Sequence, residues 1–146
     1  MNEHAIDKAA VVAALDRILE LELAGVVRYT HYSFMIFGYS RIPIVSWCRS
    51  QAEESLRHAE EAGELITHLG EHPSLAIGPL LETHKHDIGD ILRESLEHES
   101  TALAAYWRLL ELVQDKSVML EEYARRQIAA EELHRGEINK MLRAPA

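Results

Sequence analysis

The residues best suited to hold a metal ion sit where apolar ones belong. Glu22 lies seven residues after Leu15 and four after Ile18, on their helical face, and Tyr29 continues that line. Glu99 follows Leu92 and Leu96 and precedes Leu103, with Tyr106 seven residues beyond it. In Gln127-Ile-Ala-Ala-Glu131-Glu-Leu-His134, Glu131 and His134 are three apart, so their side chains share a face and can grip one ion. The upstream counterpart reads Gln51-Ala-Glu-Glu-Ser55-Leu-Arg-His58. A carboxylate on a core stripe is costly unless it is paired or binds a cation. Carboxylate and imidazole donors suit Fe(II), Mn(II) or Zn(II) rather than soft Cu(I).

The pattern occurs twice. Glu22 to Glu99 and Tyr29 to Tyr106 are both 77 residues, while Gln51 to Gln127 and His58 to His134 are both 76. These matches form a weak internal repeat, which sets two carboxylate helices and two histidine helices around one axis. A bundle with a Glu from each of two helices and Glu-x-x-His from the other two is a known way to hold two irons or manganeses. One element departs from it: Ser55 stands where the repeat puts the partner of Glu131. Glu54 is the nearest substitute, ~40° from His58 around the helix, whereas Ser55 is ~60° to the other side. Its own repeat partner is Ala130.

Four long segments have helical periodicity and few breakers, at about residues 6–38, 43–69, 86–114 and 117–143. Pro43 suits a helix start and Gly70 a helix stop. Two connections are short and make antiparallel neighbours. The third, Glu71 to Lys85, contains Pro73, Gly78 and Pro79. Its fifteen residues reach roughly 45–50 Å when extended, more than the ~40 Å of a 27-residue helix. It can run the length of a helix and leave helices two and three parallel. The expectation is an all-α four-helix bundle with a long crossover, one domain over 1–146.

Composition agrees. The 146 residues are 47% apolar and 27% charged, enough for one buried core. The net charge of −9 repels nucleic acid and acidic membranes, and no basic patch offsets it. The longest uncharged run, Tyr29 to Ser40, is too short and polar to span a bilayer. The start shows no secretory signal, and a cytoplasmic location is expected. Cys48, the single cysteine, excludes a disulfide framework and reads as a small core residue.

Several stretches carry a likeness: Glu22-Leu-Ala-Gly-Val-Val-Arg-Tyr29, His58-Ala-Glu-Glu-Ala-Gly, Leu69-Gly-Glu-His-Pro, Ile91-Leu-Arg-Glu-Ser-Leu-Glu-His-Glu99 and Glu131-Glu-Leu-His134. In this order and spacing the chain resembles the ferritin-like family, in particular bacterioferritins and their relatives. The resemblance implies an intra-bundle dinuclear site and ferroxidase chemistry, in which Fe(II) is oxidised by O2 or peroxide for iron storage or detoxification. It implies that Glu22 and His58 serve one metal and that Glu131 or Glu99 bridges to the other. It makes His134 a terminal ligand, with Glu22, Glu99 and Glu131 central to catalysis. Tyr29, Tyr106, Gln51 and Gln127 become supporting partners. Two irons per chain are expected, with Mn or Zn as substitutes.

Departures from the family qualify this. Ser55 removes a bridging carboxylate. Leu56 stands where bacterioferritins place a haem-ligating methionine, so no haem is expected there. The chain lacks a short fifth helix, which argues against a 24-subunit shell, although a homo-oligomer, dimer or larger, is expected. Two other readings stay open: an impaired structural or partner subunit, and a rubrerythrin-like peroxidase without its Cys-x-x-Cys module. A DNA-coating mini-ferritin lacks the lysine-rich tail it needs. His4, His31, His68, His72, His84, His86 and His98 read as surface or loop residues, with His84-Lys-His86 able to take a stray ion. Glu60, Glu61 and Glu64 read as a solvated face, and Trp47 and Trp107 as core or interface anchors.

Overall fold

The computed structural model describes residues 6–145, so His4 lies outside the described residues. The elements are α1 (Lys8–Phe34), α2 (Arg41–His68), α3 (Ile88–Val113) and α4 (Val118–Leu142). All four expected helices are present, with ends shifted by one to four residues.

The ends have local causes. Asp7 caps α1 by accepting from the Ala10 amide at 3.2 Å, and Ser117 caps α4 by accepting from Leu120 at 3.3 Å. The first helix stops four residues before Gly38, because the Arg41 guanidinium takes the carbonyls of Ser33 and Ile36 at 3.3 and 2.7 Å. The second starts two residues before Pro43, which falls in its first turn, where a missing N–H costs nothing. Gly70, at φ +84°, ends α2 as expected: its amide reaches the Thr67 carbonyl at 2.9 Å and that of Glu71 reaches Ile66 at 3.2 Å.

Side-chain pairs fix the helix directions. Glu22 meets His58 while Gly25 faces Ser55, so α1 and α2 are antiparallel. Tyr29 meets Glu99 while Glu22 meets Tyr106, so α1 and α3 are antiparallel. Tyr106 packs on Tyr123 while Glu99 meets His134, which sets α4 against α3. Helices α2 and α3 are therefore parallel, and the chain between them must climb the bundle.

The crossover does so along α1. Ser74 bonds Asp16 and Glu20 at 2.9 and 2.7 Å, the Gly78 amide donates to the Glu20 carbonyl at 2.8 Å, and Glu82 meets His31. Successive crossover residues thus meet successive turns of α1. Gly78 is buried against the helix. A Cβ there would lie 2.9 Å from the Glu20 carbonyl oxygen and 3.4 Å from Ala24 Cβ.

The core falls into two apolar clusters. One is built on Leu15, Ile18, Ile66, Leu109 and Val113; the other on Tyr32, Ile36, Val45, Cys48 and Ile91. Between them lies a polar waist. Burial pushes the Cys48 thiol up to about 11, in keeping with a core role.

Gly78→Ala should cost about 1–3 kcal/mol, because the clash is with backbone and cannot rotate away. Urea unfolding at fixed pH checks this; a loss below about 0.3 kcal/mol would show that the crossover lifts off α1 without penalty.

Candidate metal centre

At the waist, Glu22 on α1, His58 on α2, Glu99 on α3 and Glu131 and His134 on α4 point inward. The three glutamate residues are each no more than 3% exposed. Two ligand groups form there, Glu22–His58–Glu131 and Glu99–Glu131–His134, and within each the donor atoms lie within 4.8 Å of one another. Glu131 belongs to both. The expectation left Glu131 and Glu99 open as the shared carboxylate; of the two, Glu131 is the one whose oxygens fall in both groups.

Each terminal carboxylate has one imidazole and one phenol. His58 Nδ1 lies 2.6 Å from Glu22 Oε2, and the Tyr106 hydroxyl donates to that oxygen at 3.0 Å. His134 Nδ1 lies 3.4 Å from Glu99 Oε2, and the Tyr29 hydroxyl donates to Glu99 Oε1 at 2.7 Å. The two halves of the repeat therefore interlock: each tyrosine serves the glutamate of the other half. Burial holds both phenols well above their ordinary range, so they remain neutral donors.

Without a metal, the buried acids rest on a retained proton and on pairing. Burial, then the Glu99 carboxylate beside it, pushes Glu131 up to about 12, so it is a neutral acid. Burial works against ionised Glu99, but the Glu131 carboxyl and the His134 imidazole reverse this and hold it low. Burial disfavours the charge on His58 and His134, yet Glu22 and Glu99 respectively raise both imidazoles. Burial raises Glu22, against the pull of His58.

Two buried atoms of the set have no hydrogen-bond partner among the described residues, Glu131 Oε2 and His134 Nε2. A buried acceptor and a buried ring nitrogen left unpaired are what a cation would satisfy. The donor set, three carboxylates and two imidazoles around a shared oxygen ligand, fits two divalent ions of the iron, manganese or zinc type.

The remaining expected residues are placed differently. Glu54 sits at the rim, 3.8 Å from His58 Nε2 with its side chain 41% exposed, and belongs to neither ligand group. Gln51 is half-buried and has no hydrogen bond to the cluster among the described residues. Gln127 is buried, but its amide donates to Glu61 at 2.9 Å and not to a ligand. Glu61, its side chain 43% exposed, stays at the solvated face while joining α2 to α4. Ser55 is buried against Gly25, where a Cβ would lie 2.8 Å from Ser55 Oγ and 3.4 Å from His98 Nε2. Leu56 lies on the outer face of α2, 46% exposed.

His98 corrects the surface reading: it is 5% exposed, with Nδ1 3.1 Å from an Arg28 guanidinium nitrogen. Its signal was present, since Ile91, Ser95, His98 and Ala102 follow a four-three-four stripe, and all four are buried. Trp47 packs edge-on to Tyr29 and beside His134, with ring centroids 5.8 and 6.2 Å apart. Trp107, by contrast, is 46% exposed.

A family model described as Ferritin-like domain matches residues 12–144. A ferritin-like, diiron-carboxylate protein from Bacillus anthracis str. Ames has a TM-score of 0.88 at 20% identity, over 94% of this chain and 98% of that one. A dodecameric thioferritin, the bacterioferritin-related protein from Bacteroides fragilis, has 0.86 at 19%, over 95% and 88%. The Desulfovibrio desulfuricans bacterioferritin, with its diiron site in different catalytic states, has 0.83 at 20%, over 92% and 79%. At such identities the likeness is one of fold. No curated protein sequence matches. The fold, the crossover and the length of the matched segment agree: this chain belongs to the ferritin-like domain family.

Proposed function

We propose that the protein binds two iron ions at the bundle waist and oxidises Fe(II) to Fe(III), as a ferroxidase serving iron storage or detoxification. The observation that carries this is the sharing of Glu131 between two ligand groups, each with its own glutamate and histidine. On this reading Glu22 and His58 hold one ion, Glu99 and His134 the other, and Glu131 joins them. When bound, two adjacent ferrous ions can together give dioxygen or peroxide two electrons. The chain's part is to set the spacing, to exclude bulk water, and to hold Glu22 and Glu99 in place through the Tyr106 and Tyr29 hydroxyls. Manganese or zinc would occupy the same donors. The diiron centre of the Bacillus anthracis protein supports the reading.

Charge makes the pair unequal. Three carboxylates leave one divalent ion with a residual negative charge, but two with a residual positive one. A fourth carboxylate would cancel that charge, and Ser55 does not supply it. The second ion therefore binds more weakly than the first. This is also the observation that favours the other reading, a metal-poor subunit partnered with a competent one. The family supports a homo-oligomer, and the Bacteroides fragilis relative is a dodecamer. Exposed Phe34, Phe37, Tyr39 and Ile42 at the α1–α2 turn offer it an apolar surface. No helix among the described residues is long and apolar enough to cross a membrane.

Aerobic addition of Fe(II) to the metal-free protein should consume oxygen faster than buffer does. Glu131→Ala should lower that rate by at least the ~10–100-fold seen for a lost outer-shell partner, since it removes a ligand from both ions. Glu22→Ala should spare one ion, leaving about one bound per chain by metal analysis. Full activity in the Glu131 variant would refute the dinuclear reading; wild-type protein no faster than buffer would favour the metal-poor subunit.

Stability should move with pH in opposite senses with and without metal. Folded Glu131, near 12, keeps a proton that the unfolded chain, near 4.5, has lost. Folded His58 and His134 likewise retain protons above the ordinary 6.5. The folded state thus binds more protons, and metal-free stability falls from pH 6 to 8 by about 1.4 kcal/mol per pH unit for each proton retained. Glu99, held low, is ionised in both states throughout this window. Bound metal displaces these protons, so its stabilising effect grows with pH. Urea titrations with chelator and with Mn(II) at three pH values read both slopes; a chelated protein that gains stability toward pH 8 would contradict the proton assignment.

A further inference from the structure

A second group of ligand-type side chains lies outside the bundle. His31, in the last turn of α1, is exposed, whereas Tyr29 two residues earlier is buried at the waist. The crossover brings Glu82 and His86 to it. His31 Nε2 lies 2.8 Å from Glu82 Oε2, and His86 Nε2 lies 3.2 Å from Glu82 Oε1. One donor atom from each of the three falls within 4.8 Å of the others. The two imidazole rings are 6.4 Å apart at 70°, so both present Nε2 to the same carboxylate from different sides.

The backbone supports this convergence. Glu82 is fixed by the His84 amide at 2.5 Å, and His84 adopts φ +58°, a left-handed conformation uncommon for a residue with a side chain. The turn it makes brings His86 back over Glu82. Thr83 bonds Glu94 on α3, which holds the turn from the other side. That amide first, and then His31, draw the Glu82 carboxyl down to about 2, so it is ionised at any pH a cell maintains. Solvent-exposed histidine–glutamate pairs contribute little by themselves. Two imidazoles and a carboxylate around one point instead make a three-ligand, open metal site.

We propose that His31, Glu82 and His86 form a surface site for a borderline divalent cation, Zn(II) ahead of Fe(II), with water in its remaining positions, and that the bound ion staples the crossover to the end of α1. Zinc precedes iron because a site of this kind follows the ordinary affinity order of divalent metals. The site shares no residue with the waist and does not depend on what binds there.

Zn(II) titrated into the full-length, chelator-stripped protein, followed by calorimetry and by the histidine ring proton resonances, tests this. In the Glu131→Ala protein one zinc should still bind, with shifts at His31 and His86. His86→Gln and Glu82→Gln, each in the wild-type chain, should weaken this one equivalent by at least ~10-fold and leave zinc binding at the waist unchanged. Zinc should also slow proteolytic cleavage within residues 71–87, and not in His86→Gln. Unmoved His31 and His86 resonances in the wild-type protein at saturating zinc would overturn the proposal. So would the same number of zincs bound with and without His86. Failure of iron oxidation at the waist would leave every one of these readings intact.

Discussion

Three carboxyl groups buried at the centre of a helical bundle are the constraint on which the rest of this fold turns. An isolated carboxylate in such surroundings is strongly disfavoured, so each must be neutralised, paired or bound to a cation. The chain uses the first two means on one small set. Glu131 keeps its proton, Glu22 and Glu99 face histidines, and each of these two takes a phenol hydroxyl. None of these partners comes from the same helix as the glutamate it serves. The four helices are therefore locked in register at the waist, because sliding any one by a turn would strip a buried charge of its partner. The apolar clusters on either side supply the bulk of the burial, but they tolerate re-packing in a way the polar layer does not.

The same logic explains why the crossover must be long and closely seated. Carboxylates from α1 and α3 have to face histidines from α2 and α4, with hydroxyls crossing between halves. That arrangement relates the second hairpin to the first by an approximate two-fold perpendicular to the bundle axis, which reverses α3 against α1 and makes α2 and α3 parallel. A strand-like segment must then climb the outside of the bundle. It is held by amide-to-carbonyl and side-chain bonds to Asp16 and Glu20 and by the close approach at Gly78, with His31 and Glu82 at its upper end.

The fold was legible because its signals are long-range in sequence and simple in kind. Periodicity, sparse breakers and Gly70 gave the helices to within four residues, and the 76- and 77-residue offsets gave their pairing. Glu22, Glu99, Glu131, His58 and His134 could be picked out because a charged residue on an apolar stripe stands out, and the repeat doubled the signal. Gln51 and Gln127 matched the repeat equally well, yet neither bonds to a ligand, because spacing reports a helix face and not the reach of a side chain. His98 was missed because no counterpart flagged it, although its own stripe did. Glu61 sat in an acidic run, where its contacts with Arg126 and Gln127 on α4 separate it from its neighbours. The His31–Glu82–His86 group joins residues 51 and 55 positions apart in sequence through an irregular segment, for which periodicity carries no information.

The departure at Ser55 is more than a missing ligand. Its hydroxyl lies where a Cβ on Gly25 would be 2.8 Å away, and His98 Nε2 approaches the same point to 3.4 Å. Small residues at 25 and 55 thus let α1 and α2 come close at this level, and a buried imidazole from α3 leans over the bare backbone of Gly25. A longer side chain at 55 would find this volume taken. A longer, acidic side chain in place of Ser55, directed as the serine is, would therefore press on Gly25, His98 or the α1–α2 spacing.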